Sequence, residues 1–268
     1  MKTTNYKNFG KCVELSNANY KLLITADFGP RVIFFGRPGG ENLFFEDVDN
    51  KINRLGWKIY GGHRLWLSPE IESTYDEDNA PPTFEEIACG LRITSPVDKA
   101  TGIQKTIEIT LGDKVKVCHI IKNCGDKPAT HALWALTVLA PGGELEVPLN
   151  TADTGWLPNR NLVFWGYSDI NDKRFTLNNN SIYIKQDKSA TTAFKVGTQT
   201  ALGLATYKNK QGAFKKTWSI TNGDYPDMGC SFEGYTNNLM LESETLSPLY
   251  TLAKGETAPA HTEEWEIL

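Results

Sequence analysis

The chain has 268 residues, 40% hydrophobic and 22% charged, with a net charge of −4 and a pI of about 5.7. That is the composition of an ordinary globular protein, and it offers no basic footprint for nucleic acid. No apolar run approaches the roughly 18 residues that span a membrane, and the polar stretch Met1 to Lys11 lacks a signal-peptide core, so no membrane contact and a cytoplasmic location are expected.

Helix periodicity is nearly absent, and short β-branched and aromatic runs recur between Gly, Asn, Asp and Pro. Strands are predicted at 20–26, 31–36 and 42–46, with turns at Gly29-Pro30 and Pro38-Gly39-Gly40. Residues 47–58 read as a short helix or loop. Residues 70–83, with Asp76, Glu77 and Asp78, read as a long acidic surface loop of the kind that often carries function. An antiparallel run is predicted at 86–94, 104–111, 114–122 and 130–140, with Val115, Val117, His119 and Ile121 on one buried face. Further strands are expected at 161–165, 181–185, 191–196, 202–207, 212–220, 231–235, 239–245 and 263–268. No repeat or linker divides the chain. The expectation is one all-β domain over residues 1–268, a large antiparallel sandwich or barrel able to present a concave sheet face to a ligand.

Two stretches concentrate chemistry. Tyr60-Gly61-Gly62-His63-Arg64-Leu65-Trp66-Leu67-Ser68-Pro69-Glu70 puts a titratable ring, a fixed cation, a flat indole and an acid just after two glycines. It is either a hairpin turn with Arg64 ion-paired to a nearby acid, or part of a cleft for a polar, ring-shaped ligand. Leu239-Met240-Leu241-Glu242-Ser243-Glu244 puts Glu242 and Glu244 on one strand face with Met240. Carboxylates roughly 7 Å apart repel and raise one pKa, which suits a general base or an acid–base pair; the alternative is a solvent face with two acids. His131 has the titration range for proton transfer, or is a hydrogen-bonded structural residue. His119 is assigned to the core and His261 to the surface. Trp66, Trp134 and Trp156 can stack on a sugar ring or pack in the core, and Lys195 and Lys215 lie in strand-like runs where an inward lysine needs a partner. Walker, G-x-S-x-G, H-E-x-x-H and G-x-G-x-x-G motifs are missing, which removes support for nucleotide, serine-nucleophile and zinc-peptidase chemistry. Five cysteines (Cys12, Cys89, Cys118, Cys124, Cys230), odd in number and without a C-x-x-C pair, argue against disulfides or a zinc site.

Several stretches in order carry a resemblance: Gly56-Trp57 and the Tyr60–Trp66 segment, Pro69-Glu70, Trp134-Ala135-Leu136-Thr137, Pro141-Gly142-Gly143, Leu241-Glu242-Ser243-Glu244-Thr245-Leu246-Ser247-Pro248-Leu249, Lys254-Gly255-Glu256 and Glu264-Trp265. The chain resembles the galactose mutarotase-like (aldose 1-epimerase) superfamily, and more closely a bacterial branch of it known as a domain of unknown function. The resemblance implies a β-supersandwich whose concave sheet binds sugars without cofactor or metal. It implies a histidine that protonates the ring oxygen and a glutamate that takes the anomeric proton. Residue by residue, Glu242 in Leu-Glu-Ser-Glu stands where the family has Leu-Glu-Thr-Gln, as base. His131 in Thr-His-Ala-Leu-Trp resembles the family's Asn-His-x-Tyr-Phe, as acid, and Asn123 fits the strand-end Asn before it. The chain departs from the family's His-Gly-Gly at Tyr60, with His63 and Arg64 three and four residues on.

The expected function is therefore an aldose 1-epimerase-like enzyme acting on a sugar or an acidic sugar derivative. Glu242 and His131 are the expected catalytic pair, with His63, Arg64, Trp66, Glu70, Trp134, Lys195, Lys215 and Glu244 around the substrate. One alternative is a glycoside hydrolase or lyase on oligosaccharides, pairing Glu242 with Glu244 or Glu70 at about 5 Å (retaining) or about 6.5–9.5 Å (inverting). The other is a non-catalytic sugar-binding protein, favoured if His131 and Glu242 stand more than about 10 Å apart.

Overall fold

Alternation of buried and half-exposed residues explains why this chain forms sheets. Along Ile103–Leu111, residues Ile103, Lys105, Ile107 and Ile109 are buried while their neighbours are partly exposed, the period-2 signature of a strand with one face on a core. The structure, a computed structural model, describes residues 1–54, 57–75, 78–153, 155 and 157–268. Gly56, Asp76, Glu77 and Trp156, singled out above, lie outside the described residues.

Two large antiparallel sheets face each other. The centre of the first is formed, in spatial order, by Val32–Gly36, Gly62–Ser68, Ala129–Leu139, Leu241–Leu246, Phe232–Thr236 and Phe194–Thr198. The centre of the second is formed by Gly212–Trp218, His261–Ile267, Val115–Asn123 and Ile103–Leu111. Their inner faces enclose the apolar core. At its heart Phe35, Phe44, Phe214 and Trp265 meet largely edge to face, with centroids 5.4–6.0 Å apart. This is the expected all-β sandwich. Among the described residues no helix is long and apolar enough to cross a membrane.

Several boundaries differ from expectation. The single strand expected at 86–94 is a hairpin of Thr83–Ile87 and Gly90–Val97, turned at Cys89, which takes φ +56°. The strand expected at 42–46 is reduced to single bridges, Phe44 to Leu139 and Glu46 to Gly61. Within residues 47–58, expected as a short helix or loop, Asn53–Arg54 pairs with Trp57–Lys58 in a small ribbon. The strands Lys2–Asn5, Lys11–Ser16 and Glu144–Pro148 were not expected. Their mixed polar composition carries little strand signal, and they form only where a neighbouring strand completes their hydrogen bonds. All five cysteines are free thiols; Cys12 and Cys230 are buried and Cys89 is exposed.

Candidate functional site

The Gly-Gly turn sets the site. Tyr60, Gly61 and Gly62 all take positive φ, at +54°, +99° and +72°. A Cβ on Gly61 would stand 2.1 Å from the Phe45 carbonyl oxygen, and one on Gly62 would stand 2.2 Å from that of Val32. Only glycine lets the chain pass so close to its neighbours. The turn delivers Gly62–Ser68 into the middle of the first sheet, where alternation sends Arg64 and Trp66 to the outer face and His63, Leu65 and Leu67 to the inner one.

Register then assembles the outer face across five strands. Trp134 lies opposite Trp66, and Leu136 lies between Arg64 and Glu244. Glu242 lies opposite Tyr235, Glu244 opposite Glu233, and Lys195 opposite Tyr235. All of these but Glu233 and Glu244, together with Trp57, Glu70, Tyr167 and Met240, line a cleft of about 220 Å³. Its size suits one small ring better than the roughly 300–1,000 Å³ of pockets for drug-sized ligands. A larger open hollow of about 530 Å³ beside Ser95 and Asp98 shares only Tyr75 with this cleft and holds none of its acids or lysines.

The cleft contains one locked ionic group and one unlocked acid. Lys195 Nζ stands 2.6 Å from Glu233 and 2.9 Å from Glu244, between the rings of Trp134 and Trp165 at 4.7 and 4.6 Å. Burial opposes the Lys195 charge, but the two carboxylates outweigh it and hold its pKa well above the ordinary value. Glu244 Oε2 also accepts a 2.8 Å bond from Trp134 Nε1. Glu242 differs. It is buried, borders the cleft, and makes no hydrogen bond or ion pair with another described side chain. Burial, and then the nearby Glu244 charge, push its pKa up to about 8, against the pull of Arg64 and Lys195. Such a carboxyl exchanges its proton near neutral pH. Arg64 lies over the Trp66 ring at 3.8 Å and the Trp57 ring at 5.1 Å. Burial lowers its pKa from the ordinary arginine value, and Glu242 resists that shift.

Of the residues proposed from sequence, the structure brings Glu242, Arg64, Trp66, Glu70, Trp134 and Lys195 into the cleft lining, with Glu244 beneath, bonded to Trp134 and Lys195. It does not bring His131 there. His131 pairs with Tyr250, seven residues before the Val138 that pairs with Glu242. At ~3.4 Å per residue that is about 24 Å along the strand, and the odd separation turns the two side chains to opposite faces. His63 faces inward, bonded to Thr137 Oγ1 at 2.8 Å and His119 Nε2 at 2.7 Å. Lys215 sits on the second sheet, 3.2 Å from Glu266. Asn123 is buried and donates to the Lys127 and Leu252 carbonyls, holding a turn together.

His261, expected at the surface, is buried, and so is His119. With His63 they form a polar network between the sheets. The carbonyl of His261 can only accept, so His119 donates from Nδ1 at 2.8 Å and accepts at Nε2 from His63. Thr245 donates to Glu263 at 2.5 Å and accepts from His261 Nε2 at 2.7 Å. Lys216 and Trp265 also bond Glu263, at 2.9 and 2.7 Å. Burial lowers the His63 and His119 pKa values and pushes that of His261 down to about 3. Burial also opposes the Glu263 charge, but Lys216 and the histidines outweigh it and hold the carboxyl below its usual range. His63, His119 and Glu263 are close enough to ligate a metal, their ligand atoms within 4.8 Å of one another. His63 and His119 are bonded to each other, however, and Glu263 is already held by Thr245, Trp265 and the positive partner Lys216.

Sequence reasoning missed Tyr235, Glu233, Tyr167 and this network. Glu233 and Tyr235 alternate within a predicted strand, but only the pairing with Leu241–Leu246 aims them at Glu242 and Glu244.

No protein-family model matches the chain, and no curated protein matches it. Solved structures do. A galactose mutarotase-like protein from Lactobacillus casei superposes with a TM-score of 0.65 at 11% identity, covering 96% of this chain and 100% of that one. A galactose mutarotase-like protein from Clostridium acetobutylicum superposes with a TM-score of 0.64 at 12% identity, covering 100% and 98%. At such identity the likeness establishes the fold, which is galactose mutarotase-like.

Proposed function

We propose that this chain is a carbohydrate-active protein that binds a monosaccharide in the aromatic-walled cleft and interconverts its anomers, with Glu242 as the proton-transfer residue. One observation carries the reading: a buried carboxyl faces the cleft, is engaged by no other described side chain, and has a pKa pushed up to about 8. Trp66 and Trp134 supply flat apolar faces for a sugar ring. The fold and the cleft support this reading; the substrate and the activity are the proposal.

The reaction needs a proton delivered to the ring oxygen and one taken from the anomeric hydroxyl. The C1–O5 bond breaks, C1 becomes an aldehyde, the C1–C2 bond rotates, and closure reverses the proton movements. No atom or electron is lost. His131 is too distant to take part. Tyr235, paired with Glu242 and on the same face, is the second proton-bearing group we assign. Burial raises its pKa, which keeps its hydroxyl protonated.

Non-catalytic sugar binding is the second reading, favoured by the separation of His131 from Glu242. The carboxylate-pair hydrolase has less support, because Glu244 is held by Lys195 and Trp134. Polarimetry on freshly dissolved hexoses separates the readings. Accelerated relaxation that Glu242→Gln abolishes supports the epimerase. Saturable binding by calorimetry without acceleration supports the binder. Release of reducing ends from oligosaccharides points to a hydrolase and overturns both.

A further inference from the structure

Every other buried lysine or arginine among the described residues has a carboxylate within 4.0 Å. Arg31 and Lys105 stand 3.7 and 2.8 Å from Asp78, Arg174 stands 2.6 Å from Asp172, Lys195 lies between Glu233 and Glu244, and Lys216 stands 2.9 Å from Glu263. Arg64 is the exception. It is 2% exposed, yet it forms no ion pair, and its Nε and Nη1 are buried and donate to nothing. Two residues along the same strand face, Trp66 Nε1 is also buried without an acceptor. A desolvated cation without a counter-charge is costly, and so is a buried donor without an acceptor. The guanidinium lies against the Trp57 and Trp66 rings, neither of which offers a counter-charge. Both Arg64 and Trp66 border the cleft, and Nη2 is the one Arg64 guanidinium nitrogen outside the buried set.

We propose that the cleft takes a sugar bearing an anionic substituent, a carboxylate or a phosphoryl group, whose oxygens accept from Arg64 Nη2 at the cleft and supply the guanidinium's missing counter-charge. This rests on the reading of the cleft as a sugar site. An uncharged hydroxyl satisfies one donor but leaves the buried charge uncompensated. An oxyanion accepts the bond and supplies the charge together. The neighbouring Glu242 carboxyl does not neutralise Arg64 by an ion pair, so the position remains open to an incoming anion.

Calorimetry on the full chain tests this with matched sugars: glucose and galactose against glucuronate, galacturonate and the two hexose 6-phosphates. At least one anionic sugar is expected to bind about ten- to a hundred-fold tighter than its neutral parent, the usual worth of a charge-assisted bond. The uronate and phosphate arms show which oxyanion the site takes. Arg64→Gln is expected to bring the anionic-to-neutral affinity ratio to within about threefold of unity. The wild-type ratio itself is expected to shrink as salt rises from about 0.02 to 0.5 M, a readout that needs no variant to fold. Neutral sugars binding as tightly as all of their anionic derivatives overturns the inference and leaves the sugar reading standing. An affinity ratio unchanged in Arg64→Gln overturns it likewise. If no sugar of either kind binds, the sugar reading falls and the inference falls with it.

Discussion

Glu242 and Glu244 are two residues apart on one strand face, yet their surroundings give them different work. Glu244 is consumed by Lys195 and Trp134, while Glu242 is left to the cleft. The shared face was legible from the alternation of Leu239 to Glu244; the division of labour was not, because it depends on Lys195 and Trp134 arriving from other strands. The raised Glu242 pKa has two consequences. The kcat/KM profile for anomer exchange should inflect near pH 8, and that inflection should vanish in Glu242→Gln. The second concerns stability. A carboxyl whose folded pKa lies above its unfolded value contributes stability fully present below about pH 4.3 and lost as pH rises through about 8. Glu242→Gln should therefore gain stability over the wild type at pH 8–9, on the order of 4–5 kcal/mol, with a far smaller difference at pH 4–5. Thermal unfolding at the two pH values checks this; equal differences at both contradict it.

At the scale of elements, the Gly61-Gly62 turn and the strand it launches decide which side chains reach the cleft. The turn was legible as a place where glycine mattered, and Arg64 and Trp66 as site residues. His63 was expected beside Arg64 around the substrate, but alternation turns strand neighbours to opposite faces, and His63 takes the inner one. His131 shows a related limit. A motif can place a histidine on the expected strand while the pairing sets it about 24 Å along that strand from its intended partner. Gly62→Ala should be strongly destabilising, by more than about 2 kcal/mol, because its Cβ meets the Val32 carbonyl and its φ is positive. Denaturant unfolding measures this. A loss below about 0.5 kcal/mol would mean the close approach is not maintained in solution.

For the whole molecule, the two-sheet sandwich was legible from strand-like runs and turns, and the polar network inside it was not. Four of its members looked like a core histidine, a surface histidine, a cleft histidine and a strand acid, because only the stacking of the sheets brings residues 63, 119, 261 and 263 together. The network predicts an acid-sensitive fold. Its histidines have folded pKa values below the unfolded value of about 6.5, so their stability is present above that pH and lost as pH falls toward about 3. Three protons taken up on unfolding give a limiting slope of up to about 4 kcal/mol per pH unit. Removing the counter-charge, as in Lys216→Met, leaves Glu263 buried without its ion-pair partner and should cost about 3–5 kcal/mol. Acid titration of unfolding should show the steep limb in the wild type; a flat profile from pH 7 to 4 contradicts the network.

The central claim is that the cleft around Glu242 exchanges sugar anomers. Magnetisation-exchange NMR on sugars labelled with ¹³C at C1, neutral and anionic, measures this most directly. The account predicts exchange between the α and β signals of at least one sugar well above the rate without protein, falling about a hundred-fold or more in Glu242→Gln. Exchange at the protein-free rate for every sugar tested, or an undiminished rate in Glu242→Gln, would contradict it.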